Sequence, residues 1–247
     1  MRLGDMTDFL SVSNHQLALD VKLEDEPTFA NYYLAESSAN LQAVSQLVDF
    51  IQGGMSEPVV FLWGSASVGI THLLKASCQL ATALGLKARY IPLAEMQSQA
   101  PESLFDLCSE LDICCIDDLD VIAGKREWEQ VVFHVYNRLR DGGKQMILAA
   151  HTSPSLLDLC LPDLKSRLAY GVTYHIKPLT DEEKVYALQL HAEQLGLQLN
   201  EETAWFVVNR VSRDLNALFV ALNRLDHASL AQQRKLTIPF VKQVLEL

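Results

Sequence analysis

A chain of 247 residues, 49% of them hydrophobic and 21% charged, has enough apolar side chains for a substantial core, which excludes wholesale disorder and suits one large domain with or without a small companion. The formal net charge is −11, nine of those charges fall in the first 180 residues, and Glu102 to Asp120 carry seven acids and no base. Such a surface repels a phosphate backbone, so a dedicated duplex reader is not expected and any DNA contact is weak or indirect. No apolar run approaches the ~20 residues that span a bilayer, and the first residues lack the basic flank and apolar stretch of a signal peptide, so the expectation is a cytoplasmic protein without a membrane partner.

Residues 1–26 show weak periodicity and many polar groups, the pattern of a tail that orders on binding. From Ser38 the chain turns helical, with Leu41, Val44, Leu47, Val48 and Ile51 at helical spacing and Gly53-Gly54 as the stop. Short apolar runs then follow at Val59–Trp63, Ala88–Ile91, Ile113–Ile116, Met146–Ala149 and Val172–Ile176, separated by helical stretches near 71–84, 101–110, 126–141 and 155–168. Strands alternating with helices predict a parallel sheet covered on both faces. After Pro178 the strands stop. Thr180 and Glu183 have the spacing of a capping box opening a helix that Gly196 ends, and helical patterns continue at 201–211, 213–231 and 238–246. The five cysteines are odd in number and lack a C-x-x-C, and Cys114-Cys115 lie inside an apolar run, so they read as core residues and not as disulfides or zinc ligands.

Two stretches carry chemistry. The first strand leads into Gly64-Ser65-Ala66-Ser67-Val68-Gly69-Ile70-Thr71-His72, which has the glycine spacing and hydroxyl of a Walker A loop but Ile70 where the lysine belongs. In such a loop, backbone N–H groups at a helix N-terminus cradle phosphates and the Ser/Thr hydroxyl serves magnesium. An ordinary glycine-containing strand-to-helix turn would read the same way. Lys75 is five residues on, at about 100° per residue, and so points away from the loop opening. The second stretch, Asp112 to Asp118, is a short buried strand ending in Asp117-Asp118, the Walker B arrangement in which one acid organises magnesium and the next polarises water. A strand followed by an acidic turn is the plainer alternative. Two imperfect motifs in the right order, each leaving its own strand at the carboxyl edge of a parallel sheet, favour a nucleotide site.

At this point the chain resembles a family. Gly69-Ile-Thr-His-Leu-Leu74, Ile116 to Lys125, Phe133-His-Val-Tyr-Asn137, Gly143-Lys-Gln145 and Leu164-Lys-Ser-Arg167 are similar to the AAA+ core of the bacterial initiator DnaA, over about residues 26 to 245. The resemblance implies an AAA+ P-loop fold, an α/β three-layer domain with a parallel sheet, at 27–178 and a small all-helical lid at 179–247. It implies that Phe29, Tyr32, Tyr33 and Asn40 form the base-binding box, although an aromatic staple against the first helix would use the same residues. DnaA continues past its lid into a helix-turn-helix domain. This chain stops at Leu247, so the expectation is that no DNA-binding domain is attached.

That combination, with the acidic balance, resembles the Hda branch of the DnaA family, as does the segment Arg234 to Lys242. The branch implies a regulator of replication initiation that works with the sliding clamp and makes DnaA hydrolyse its ATP. Its clamp peptide falls on Gln16, Leu17, Leu19 and Val21, with Asp20 departing from the usual apolar residue. Arg167 falls in the arginine-finger segment, acting in trans on a partner's nucleotide. Sensor 2 falls on Asn216, near Arg213, and sensor 1 near His151 or Thr152, both altered. The implied cofactor is a nucleotide, a diphosphate such as ADP, with Mg²⁺ held by Thr71 and Asp117. With the lysine absent, efficient ATP hydrolysis by the chain itself is not expected. The alternatives are an ATPase related to helicase loaders and an adaptor whose nucleotide only stabilises the fold; a homo-oligomer also remains open.

Overall fold

The fold was analysed in a computed structural model, which describes residues 27–34, 40–212 and 214–247. Helix α1 (Leu41–Ile51) precedes β1 (Val59–Trp63), and α2 (Ile70–Ala83) leads to β2 (Ala88–Pro92). Two short helices, α3 (Leu93–Met96) and α4 (Glu102–Cys108), come before β3 (Ile113–Asp117), whose end runs into a 3-10 turn at Leu119–Ile122. The sheet part closes with α5 (Arg126–Asp141), β4 (Gln145–Ala150), α6 (Pro162–Tyr170) and β5 (Val172–His175).

All strand pairs are parallel, in the order β2-β3-β4-β1-β5. The unbroken apolar runs of β1, β3 and β4 are explained by burial on both faces. Phe61, Cys114, Ile116, Met146 and Leu148 point to one core, packed under α4, α5 and α6. Their neighbours Val60, Leu62, Ile113, Cys115 and Ile147 point to the other, under α1 and α2. This is the two-residue alternation of a strand, here apolar in both phases because neither face meets water.

A third core is built by the last four helices, α7 (Asp181–Gln194), α8 (Glu201–Arg210), α9 (Leu215–Gln232) and α10 (Ile238–Leu245), and their connections, around Leu188, Val207, Leu222 and Phe240. The capping box at the start of α7 is formed in both directions: Thr180 Oγ1 accepts from Glu183 N at 3.2 Å, and Thr180 N donates to Glu183 Oε2 at 2.8 Å. AAA+ architecture, a parallel sheet between helical layers with a C-terminal helical lid, is therefore present.

One expected helix is corrected. The pattern at 155–168 mimics a helix because Leu157, Leu159 and Leu164 are all buried, yet only Pro162 onward is helical. Proline at the start of α6 holds Leu161 extended, at φ −94 and ψ 104. The N–H groups of Cys160 and Leu161 donate instead to the fully buried carboxylate of Glu129, at 3.1 and 2.7 Å.

Candidate functional site

Parallel strands present their carboxyl ends on one edge, and the strand order puts β4 between β1 and β3. The loop after β1, the carboxylates after β3 and His151 after β4 therefore meet at that edge. They line a cleft of about 720 Å³ that is also lined by Pro178 and by the lid residues Leu179, Asp214, Leu215, Asn216 and Phe219.

The loop at 64–69 is shaped by local backbone constraints. A Cβ on Gly64 would stand 2.4 Å from the carbonyl oxygen of Ile176, so the adjoining strand exit excludes any side chain there. Gly69 has φ +89 and a Cβ on it would lie 2.8 Å from Cε2 of Tyr32. Ser67 is also left-handed, at φ 64. Left-handed residues just ahead of α2 turn successive N–H groups toward one side, the geometry of an anion cradle at a helix N-terminus.

Across the cleft the Thr71 hydroxyl donates to Asp117 Oδ2 at 2.8 Å, and the Tyr90 hydroxyl donates to the same oxygen at 3.0 Å. Asp117 is 4% exposed. Burial and the negative charge of Asp117 push the Tyr90 phenol up, and the same two causes raise the carboxyl of Asp118. Asp118 itself is left-handed, at φ 59, which turns the chain from β3 into the 3-10 turn. His151 is bound to Asp120, its backbone N–H donating to Oδ1 at 2.9 Å and Nδ1 lying 3.1 Å from the same atom.

The segment before α1 lies over the loop. The Tyr32 hydroxyl donates to Val68 O at 3.3 Å, its ring centroid is 5.4 Å from that of His72, and burial pushes its phenol up to about 12. His72 Nε2 donates to Thr28 O at 2.8 Å, and burial lowers its imidazole pKa, keeping the ring neutral. Tyr33 packs on Tyr186 of α7, centroids 5.4 Å apart, and so joins this segment to the lid.

Among the sequence-expected residues, Gly64, Ser65, Ser67, Val68, Gly69, Ile70 and Thr71 all line the cleft. So do His72, Tyr32, Tyr33, Asp117, Asp118 and Asn216. Phe29 packs instead against the α1–α2 core. Asn40, 1% exposed, uses its amide to bind the backbone of Lys177 both ways, at 2.9 and 2.8 Å, fastening α1 to the exit of β5. Lys75 departs from the helical-wheel expectation: it reaches the cleft wall, where its ammonium stands 5.1 Å from the Tyr90 ring centroid. Gln16, Leu17, Leu19, Val21 and Arg213 lie outside the described residues. The residues that sequence reasoning missed are Tyr90, which looked like one more strand residue, and Asp214. An acid just before an apolar-periodic stretch is an N-cap signal that could have singled out Asp214.

Residues 23–175 match the model of the bacterial DnaA ATPase domain. The chain belongs to the bacterial DnaA ATPase family. Residues 181–245 match the Hda lid domain, and a DnaA-type ATPase domain joined to an Hda-type lid supports membership of a replication-initiation regulator family. Among solved structures, the chain is similar to domain III of Thermotoga maritima DnaA, at TM-score 0.78 and 21% identity, covering 92% of this chain and 98% of that one. AMPPCP-bound DnaA from Aquifex aeolicus follows at TM-score 0.71 and 22% identity over 82% and 66% of the two chains. The Thermotoga maritima RuvB branch migration motor shares the fold at TM-score 0.67 and 14% identity over 89% and 71%.

Within this DnaA-type frame, Arg167 stands apart from the cleft. It lies in the last turn of α6, exposed, and its charge offsets part of the rise that burial imposes on the Tyr136 phenol. Among the described residues, no helix is long and apolar enough to cross a membrane.

Proposed function

We propose that this DnaA-family chain regulates replication initiation by holding a nucleotide in its own cleft, binding the DNA sliding clamp, and supplying Arg167 to the nucleotide of a DnaA partner. The nucleotide is a diphosphate such as ADP. The observation that supports this reading is that Arg167 is exposed at the end of α6 and does not line its own cleft, as a residue serving a site on another molecule would be. A guanidinium inserted in this way neutralises charge developing on the transferring phosphoryl group, an effect of about 10³- to 10⁵-fold in rate.

The cleft suits a nucleotide. The left-handed Ser67 and Gly69 leave an N–H cradle open at the start of α2, and the Thr71 and Asp117 oxygens, 2.8 Å apart, are the hard donors that Mg²⁺ takes. A bound Mg²⁺ would supply charge neutralisation for the phosphates. Ile70 removes the cation that normally serves the terminal phosphate, which is why hydrolysis is assigned to the partner. Residues 27–178 form the nucleotide-binding part, 179–247 the lid, and Gln16 to Val21 the peptide that docks on the clamp.

The test is a reconstituted assay with DnaA and DNA-loaded clamp. Arg167→Ala abolishes stimulation of DnaA ATP hydrolysis while clamp capture persists, and Gln16→Ala weakens clamp capture. Undiminished stimulation by Arg167→Ala would sink the trans mechanism. The retained Thr71, Asp117 and Asp118 favour a second reading, an intrinsic ATPase related to helicase loaders, which multiple turnovers by the purified chain alone would establish.

A further inference from the structure

Lys75 lies one turn along α2 from Thr71, on the same face of the helix. Helical side chains lean toward the N-terminus, so its ammonium is carried back toward the turn that holds Thr71. It comes to rest 5.1 Å from the ring centroid of Tyr90 and lines the cleft. The same tyrosine donates its hydroxyl to Asp117 Oδ2 at 3.0 Å, the oxygen that also accepts from Thr71 at 2.8 Å. Lys75, Tyr90, Asp117 and Thr71 thus form one wall, with a cation over the ring and a carboxylate at its hydroxyl.

The surroundings leave that ammonium available. Lys75 is exposed, and among the described residues it forms no ion pair. The other lysine among the described lining residues, Lys184, is tied to Asp181 at 2.9 Å. Asp117, Asp118 and Asp214 line the cleft, so a bound phosphate needs a neutralising group, and Ile70 stands where a loop lysine would supply one. An ammonium seated on an exposed ring is held weakly, which makes a phosphate the stronger partner. Arg213 lies outside the described residues; Lys75 is singled out by its place on the Asp117 wall and not by a lack of other cations.

We infer that Lys75 takes the part of the lysine that Ile70 replaces: its ammonium turns from the Tyr90 ring to the outer phosphate of a bound nucleotide and holds a diphosphate without a divalent metal. This rests on the reading of the cleft as a nucleotide site. A loop lysine approaches the phosphates from the residue after Gly69, whereas Lys75 approaches from the wall of Thr71 and Asp117, where Mg²⁺ would otherwise supply the positive charge. AMP ends one phosphate short of ADP and gains less from the ammonium.

Calorimetry on the full chain with ADP and AMP, each in EDTA and in Mg²⁺, tests the assignment in the parent, Lys75→Met and Lys75→Arg. The side chain is exposed, so both variants keep the fold. In EDTA the parent binds ADP more tightly than AMP. Lys75→Met loses about tenfold in ADP affinity there with AMP little changed, as expected for deleting one partly screened charge a few ångströms from a phosphate, and the loss shrinks at high salt and in Mg²⁺. Lys75→Arg, which keeps the charge, retains the preference for ADP. An equal ADP-to-AMP ratio in parent and Lys75→Met overturns the role of Lys75 and leaves the nucleotide site standing, as does ADP binding by the parent that requires Mg²⁺. Absence of nucleotide binding by the parent in either condition overturns both.

Discussion

The hydroxyl of Thr71 donates to Asp117 Oδ2 at 2.8 Å, and this bond joins the first turn of α2, which follows β1, to the end of β3, the strand that β4 separates from β1. Asp117 is buried, and its remaining donors are the Tyr90 hydroxyl, on the same oxygen, and the N–H of Asp118, on Oδ1 at 3.0 Å. Thr71→Val and Tyr90→Phe should each cost about 1–2 kcal/mol in urea unfolding, because each removes one hydrogen bond to a buried carboxylate. The double variant should cost more than the sum, since Oδ2 then loses both of its side-chain donors. Strict additivity would mean that the two donors act independently.

Gly69→Ala tests the loop itself. The backbone there has φ +89, and the added methyl would stand 2.8 Å from the Tyr32 ring. Strain plus displacement of Tyr32 should lower stability by about 1–3 kcal/mol, read from thermal unfolding. Pairing the change with Tyr32→Ala should recover the steric part and leave the backbone part.

Glu129 offers the sharpest contrast between a buried acid and its amide. Its two oxygens accept from the N–H groups of Gly124, Cys160 and Leu161 at 2.8, 3.1 and 2.7 Å, tying the turn before α5 to the entry of α6. Glu129→Ala orphans all three donors and should destabilise by more than about 3 kcal/mol, whereas Glu129→Gln, which keeps one acceptor oxygen, should fall between. Because α6 carries Arg167, stimulation of the DnaA partner should drop with the alanine change even at temperatures where the chain stays folded. Equal stability of parent and Glu129→Ala would show the clamp to be dispensable.

His72 predicts a pH dependence. Burial lowers its folded-state pKa below 6.5, so the neutral ring is favoured by folding. The unfolded state then binds the proton more readily than the folded state as pH falls below 6.5. Its contribution to stability is complete above that value and is lost as pH falls toward the folded pKa. The urea midpoint of the parent should decline on acidification, and His72→Gln should flatten that decline. An identical slope in the variant would assign the effect to other groups.

The site motifs were legible in the sequence to the extent that they are local. The glycine spacing around Gly64 and Gly69, the hydroxyl of Thr71 and the acids closing β3 all sit at strand ends, where composition and position carry the message. Asn40 and Phe29 were not legible as packing residues. Their spacing suits a base-binding box, while the contact of the Asn40 amide with the backbone of Lys177, 137 positions away, is a pairing that no local pattern names.

By itself the sequence determined the alternation of strands and helices, the helix opened by the Thr180 capping box and the loss of lysine at Ile70, because periodicity, capping and motif spacing act within a few residues. The tertiary structure alone decided the strand order that brings Thr71, Asp117 and His151 to one edge, the conversion of residues 155–161 from apparent helix to a loop bound by Glu129, and the bond of the Tyr90 hydroxyl to Asp117. Each of these is a pairing between distant segments. Hydrogen-bond partners and close-packed neighbours are fixed by the fold as a whole, so no local pattern could name them.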